Sequence, residues 1–229
     1  LYAQWTPNEY TVTFVGQEGT SPTPVSKTVT YDQSYGALAT TTRTGYTFAG
    51  WNTKSDGSGD TVESATVMST AADHSLFAQW TPNTYTITFD KEEGNGGTDT
   101  VTATYDAVMP IASAPARTGY EFAGYFTVAD GAGAKYYNAD MVSAKAWNIA
   151  SDTTLYADWE LIDYTITYNN LNDGTNHPSN PATYTIENPT FSLEAPNRIG
   201  YDFGGWYTTD EYSGDPITQI PAGSHGDIA

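Results

Sequence analysis

The chain contains no cysteine, which excludes a disulfide framework, a thiolate metal site and a cysteine nucleophile. Basic residues are scarce. Eight Lys and Arg stand against 27 Asp and Glu, a formal charge of -19, and a field of that sign repels nucleic acid and anionic lipid headgroups. Neither is expected as a partner. No apolar run approaches the roughly 18 residues that a membrane span requires, so no membrane insertion is expected. Leu1 to Trp5 has no signal-peptide character, and the sequence reads as a fragment of a longer secreted chain or as one whose targeting segment has been removed. Only three histidines occur, His74, His177 and His225, at unrelated positions and without a second His nearby, which argues against a zinc site. No Gly-x-Ser-x-Gly elbow is found. The expectation is a non-enzymatic protein with no catalytic residue, no metal and no cofactor.

Aromatic side chains are abundant: 18 Tyr, 6 Trp and 8 Phe supply large apolar surface even to small domains. They fall in register. Tyr10-Thr-Val-Thr-Phe14 recurs as Tyr85-Thr-Ile-Thr-Phe89 and Tyr164-Thr-Ile-Thr-Tyr168. Arg43-Thr-Gly-Tyr-Thr-Phe-Ala-Gly-Trp51 recurs from Arg117 to Tyr125 and from Arg198 to Trp206. Leu1-Tyr-Ala-Gln-Trp5 recurs as Leu76-Phe-Ala-Gln-Trp80 and Leu155-Tyr-Ala-Asp-Trp159. Three motifs sharing nearly one period describe a tandem array.

The period-2 alternation of Tyr10 to Phe14, of Thr28 to Tyr31 and of Leu76 to Trp80 predicts strands with one buried and one wet face, at least four per unit. Gly36 to Ala39, Pro110 to Ser113 and Thr190 to Leu193 lie between the second strand and the Arg-x-Gly motif, with room for one helical turn or a short helix. The predicted class is therefore β-rich α+β. The expected boundaries are 1–5 as the closing strand of a preceding repeat, 6–80 as repeat 1, 81–159 as repeat 2 and 160–229 as repeat 3 without its closing strand. The joints Thr6 to Glu9, Thr81 to Thr84 and Glu160 to Asp163 are short, and Pro7 and Pro82 stiffen two of them, which predicts an elongated, semi-rigid rod.

These motifs resemble the Listeria-Bacteroides repeat, also called the internalin B-type repeat, with its Tyr-Thr-x-Thr-Phe strand, Arg-x-Gly-Tyr-x-Phe-x-Gly-Trp segment and closing Leu-Tyr-Ala-x-Trp. The resemblance covers nearly the whole chain. Tyr125 replaces the usual Trp, Ile199 replaces Thr and Gly204 replaces Ala. The resemblance implies a β-grasp-like fold, a bacterial cell-surface, cell-wall or secreted location, and no catalytic activity. A structural stalk or spacer of an adhesin is the expected function.

The in-register aromatics Tyr46, Phe48, Trp51, Tyr120, Phe122, Tyr125, Tyr201, Phe203 and Trp206 are the expected repeat core. Repeat 2 has an insertion carrying Tyr136, Tyr137 and Trp147. Insertions map to loops, and loops carry binding, so these three are the candidate ligand-binding residues of a carbohydrate- or protein-binding alternative, against the favoured reading that Trp147 folds back to cover its own unit. A host or neighbouring-cell surface protein or glycan would be the partner. Asp56-Gly-Ser-Gly-Asp60 has alternating oxygens suited to calcium, but unit two has Asp130-Gly-Ala-Gly-Ala134, and a hairpin turn is the better reading. Arg43, Arg117 and Arg198 are read as structural donors. Leu1 to Trp5 is an orphan strand if the closing strand belongs to the unit before it, and the chain is then a window cut from a longer rod, which is the favoured reading and gives a monomer, or forms a head-to-tail assembly through the terminal strand. If it instead forms a hairpin with Tyr10 to Phe14, every unit is complete.

Overall fold

The computed structural model describes all residues from Leu1 to Ala229. The residues group into two compact units: Leu1–Thr88, Thr100–Pro110 and Lys145–Thr153 in one, and Phe89–Asp99, Ile111–Ala144 and Thr154–Ala229 in the other.

Repeat 1 contributes β1 (Glu9–Val15), β2 (Ser26–Thr30), β3 (Tyr46–Asn52), β4 (Thr61–Val62) and β5 (His74–Pro82). The sheet order is β2-β1-β5-β3-β4, so the last strand in sequence is the middle strand in space. It runs parallel to β1, with Phe14 opposite Leu76, and antiparallel to β3, with Trp51 opposite Ala78. A bulge between Phe48 and Gly50 shifts the β3–β5 register, and Gly50 accommodates it at φ 127°. Repeat 2 repeats the plan with β6 (Thr84–Asp90), β7 (Thr100–Thr104), β8 (Tyr120–Phe126), β9 (Lys135–Asn138) and β10 (Thr153–Leu161), in the order β7-β6-β10-β8-β9.

Repeat 3 differs. Its strands are β11 (Tyr164–Thr165), β12 (Thr183–Tyr184), β13 (Phe191–Ser192) and β14 (Gln219–Ile220), paired as two separate two-stranded ladders. Tyr201 to Trp206 has nearly the sequence of β3 and β8 but forms no strand. A strand is a pairing state more than a local preference, and the middle position that β5 and β10 fill in the other repeats has no strand here. Only Ile228, in a parallel bridge to Ile166, enters that position.

In each repeat an aspartate near the middle position bonds across to the backbone of the first strand. Asp73 accepts a hydrogen bond from the Thr11 amide (2.7 Å), Asp152 from Thr86 (2.8 Å) and Asp227 from Thr165 (2.8 Å). The bond from Thr165 holds the Asp227 carboxyl below its usual range.

No helix forms, so the α+β expectation is corrected to all-β, and three tandem β repeats remain. The segments given a helical turn bond elsewhere. The Tyr35 and Gly36 amides donate to Thr66 and Ser64 carbonyls, Lys27 Nζ reaches the Tyr35 and Ala37 carbonyls, and Thr98 donates to Ser113. In repeat 3 Phe191 pairs with Ile220. Four residues are too few to nucleate a helix against such partners.

In repeat 1 Val12, Phe14, Val29, Trp51, Met68 and Leu76 are buried together. In repeat 2 the Phe89 ring packs 4.4 Å from Tyr125 and 5.5 Å from Tyr137. Ile166, Tyr184 and Ile220 form the small core of repeat 3. Within the expected core the motif aromatics divide. Trp51 is 2% exposed and Tyr125 is fully buried, whereas Phe48 is 37% exposed and lies edge-on over Trp51 and Trp80 (5.5 and 5.4 Å). Tyr46, Tyr120, Phe122 and Trp206 are half-buried, and Tyr201 and Phe203 are exposed.

Candidate functional site

The chain passes from one repeat to the next almost without a loop. β5 ends at Pro82 and β6 begins at Thr84, leaving only Asn83 between them, and β10 ends at Leu161 two residues before β11. The Asn83 amide donates to Gly45 O (2.9 Å), and its carbonyl accepts from the Tyr105 amide (2.9 Å). Thr47 Oγ1 donates to Asn83 Oδ1 at 2.6 Å. The closing strand is thus paired with β1 and β3 of its own repeat, and no hairpin joins it to the next.

Around this passage the Arg-x-Gly-Tyr turn of one repeat receives a corner of the next. Arg43 stacks its guanidinium 3.7 Å from the centroid of the Tyr46 ring and pairs with Glu18, which fixes the tyrosine by combined cation–π and ionic contact. Tyr46 then donates its hydroxyl to Asp106 Oδ2 of repeat 2 (2.8 Å), and its ring meets Tyr105 edge-on at 5.7 Å. Burial and then the bond to Asp106 raise the Tyr46 hydroxyl above its ordinary value of 10.0. Between them Gly45, at φ 78°, lies against the Tyr105 ring, where a side chain has no room.

The second joint has the same parts. Arg117 stacks 4.0 Å from the Tyr120 centroid and pairs with Glu93, Tyr120 donates to Glu187 Oε1 (2.5 Å), and Gly119 lies against Ile186. The Ile162 amide donates to Gly119 O at 3.0 Å. In repeat 3 the socket is assembled but uncovered. Arg198 stacks 3.8 Å from Tyr201 and pairs with Asp173, yet Tyr201 is 64% exposed and a β-carbon on Gly200 would meet nothing within 4 Å.

The sequence placed the three arginines as structural donors, and each makes an ion pair and a ring contact. It did not find the receiving corners. Their signal is the in-register pair of a large side chain and an acid after the second strand: Tyr31-Asp32, Tyr105-Asp106 and Ile186-Glu187.

The candidate ligand residues are elsewhere. Tyr136 is 1% exposed, and Tyr137 and Trp147 are fully buried, so no open aromatic platform exists at any of them. This corrects the expectation of a stacking surface: the insertion supplies core, with Tyr136 and Tyr137 on β9. Burial pushes the Tyr137 hydroxyl up to about 12 and that of Tyr125 further. The Tyr125 hydroxyl is buried with no hydrogen-bond partner, while the indoles at its sibling positions reach carbonyls, Trp51 to Ala39 and Trp206 to Glu194. The Asp56 loop is a hairpin turn, with its carboxylate bonded to the amide and hydroxyl of Ser58, which hold its pKa below the usual carboxylate range. Asn52 fills the loop with bonds to Gly57 and Gly59.

Comparison with known proteins finds the same period. The Listeria-Bacteroides repeat domain matches residues 10–79, 85–158 and 164–228. A protein of Evansella cellulosilytica with the provisional name Gly-rich membrane protein is 33% identical over 225 residues, covering 93% of this chain and 24% of that protein. A second from the same organism, provisionally named a membrane protein, is 29% identical over 90% of this chain and 29% of its own length. Internalin H of Listeria monocytogenes is 36% identical over 144 residues, 63% of this chain and 22% of that protein. The chain spans about a quarter of the length of these relatives.

Proposed function

Because the chain belongs to the Listeria-Bacteroides repeat family along nearly its whole length, we propose that it is a non-enzymatic spacer, a structural stalk of a bacterial cell-surface or secreted adhesin. The observation that carries this reading is the interlocked joint. Two successive repeat boundaries are bridged by the same set of contacts, a glycine under a large side chain and a tyrosine hydroxyl on a carboxylate. Such contacts fix one repeat on the next, which is the property a spacer needs and a flexible tether lacks. The relatives are bacterial proteins, two of them named as membrane proteins and one as an internalin, which supports a cell-envelope location. The -19 charge supports a role in keeping such an array soluble and apart from its neighbours.

The test is a distance distribution measured across the first joint, by spin or dye pairs on β2 and β9. The stalk reading expects one narrow distance that broadens in Gly45→Ala. A broad distribution in the unaltered chain defeats it.

A further inference from the structure

The chain holds a single Asn-Gly pair, Asn95-Gly96, in the turn between β6 and β7. Asn95 is exposed, and Gly96 follows it at φ 67° with nothing within 4 Å of where a β-carbon would stand. The Gly96 amide donates to no acceptor, and the Asn95 carboxamide makes no hydrogen bond. The amide carbon of Asn95 and the following nitrogen thus have no side chain shielding them and no partner holding either. Asn52 shows the opposite condition. It is buried, its Nδ2 donates to the Gly57 and Gly59 carbonyls, and its Oδ1 accepts from the Lys54 and Gly59 amides. Every other asparagine precedes a residue whose side chain shields the next nitrogen, or, like Asn180 and Asn188, a proline that has no N–H. The Asp-Gly pairs at Asp56, Asp130 and Asp173 present carboxylates, whose charge repels a nucleophile.

The sibling repeats fill this position with a different chemistry. Thr20 and Thr175 stand in register with Asn95. The Asn95 main chain exchanges two bonds with Ala116 (both 2.9 Å), as that of Thr175 does with Asn197 (2.8 and 2.9 Å), and the Thr20 amide donates to Thr42 O (2.7 Å). The bridge therefore needs no amide side chain. It adjoins the seat of a tryptophan. Gly94 closes a turn onto Lys91 O (2.9 Å), and Trp159 of β10 lies over Gly94 and donates its indole N–H to that same carbonyl (3.0 Å). A change in the main chain at Asn95 acts directly on that seat.

We propose that Asn95 is a site of spontaneous deamidation, with water as the only co-reactant, and that its isoaspartyl product loosens the seat of Trp159. Ring closure requires Asn95 to rotate out of its bridge to Ala116, so opening of that bridge sets the pace. The Gly96 nitrogen attacks Cγ of Asn95 while its proton passes to solvent base. The new N–Cγ bond closes a cyclic imide, the Cγ–Nδ2 bond breaks, and the side-chain nitrogen leaves as ammonia. Water then opens the ring at either carbonyl. Opening at Cγ gives aspartate, and opening at the main-chain carbonyl gives isoaspartate, in which the chain runs through Cβ and Cγ. The net change consumes a water, releases ammonia and adds a negative charge. Isoaspartate also lengthens the main chain by a carbon, so both bonds to Ala116 cannot be kept.

The experiment is incubation of the full chain at mildly alkaline pH, followed by anion-exchange chromatography, peptide mass mapping and enzymatic methylation of isoaspartate. The expected result is a growing, more acidic species whose mass change lies at Asn95 ahead of every other asparagine, with isoaspartate among the products. In that species the Trp159 indole resonance moves and repeat 2 melts at a lower temperature. Asn95→Thr installs the sibling residue, folds, and shows neither change after the same incubation. Asn95→Asp adds the charge without the extra carbon, and freshly prepared it keeps the Trp159 resonance of the unaltered chain. An Asn95 peptide that keeps its mass while other asparagines convert, or a chain unchanged in mass throughout, overturns the proposal. Conversion at Asn95 with an unmoved indole resonance overturns its effect on Trp159.

Discussion

Gly45 lies against the ring of Tyr105, sixty residues further along the chain, so closely that a β-carbon would stand 2.4 Å from two ring carbons. Gly45→Ala therefore carries two costs, a positive φ worth about 1 kcal/mol in its own turn and a collision across the joint. Gly200→Ala, at φ 82° with nothing within 4 Å, carries only the first. Calorimetry of the pair separates the two. Gly45→Ala is expected to split repeats 1 and 2 into separate transitions, and Gly200→Ala only to lower the melting of repeat 3. Equal effects would mean that the glycine serves its turn and not the joint.

The tyrosine hydroxyl across the same joint is expected to contribute little to stability. Tyr46→Phe and Asp106→Asn should each cost about 0.5–1 kcal/mol, since the bond is open to solvent, and the double variant should cost no more than either alone. Additive losses in a denaturant series would show that the two groups do not act on one another.

Tyr125 is a departure from Trp that leaves a buried hydroxyl without a partner. Tyr125→Phe should stabilise repeat 2 by about 1 kcal/mol, and thermal unfolding followed by near-ultraviolet dichroism checks it.

Alkaline pH should act on the same repeat. Burial raises Tyr125 and Tyr137 from 10.0, Tyr137 to about 12. Below pH 10 both states hold these protons and stability is full. As pH climbs from 10 towards 12 the unfolded chain loses protons that the folded chain keeps, so stability falls. Tyrosinate absorbance and far-ultraviolet dichroism should change together in that window. Tyr125→Phe should move the midpoint upward, and an unmoved midpoint refutes the assignment.

Truncating the motif aromatics should not give uniform losses. Trp51→Ala is expected to cost about 3–5 kcal/mol and Phe48→Ala about 1–2 kcal/mol, because Phe48 already keeps a third of its surface in water. Urea unfolding of the two variants makes the comparison.

The strands were legible in the sequence because alternation is a local consequence of which face is wet, as in Tyr10 to Phe14. The repeat made them more so. What failed was the assignment of Gly36 to Ala39 and its siblings, where short apolar stretches suggested a helical turn. Their partners lie far along the chain, Thr66 and Ser64 for Tyr35 and Gly36, and no local spacing reports them. The insertion in repeat 2 misled for a related reason: Tyr136 and Tyr137 alternate with nothing polar, which signals a strand buried on both faces as well as it signals a loop. The arginines could be placed but the corners they serve could not, since Gly45 and Asp106 each look like ordinary turn residues until they are brought together.

The order of strands in each sheet bears on how such an array matures. β5 is the last segment of its repeat to leave a ribosome, yet it stands in the middle of the sheet, between β1 and β3. Until it emerges, the two halves of the repeat have no common partner. A nascent array therefore closes each repeat only once its last strand has emerged. Completion of each module and the start of the next are a single event, because the residues that lock one sheet run on through Asn83 into the first strand of the other.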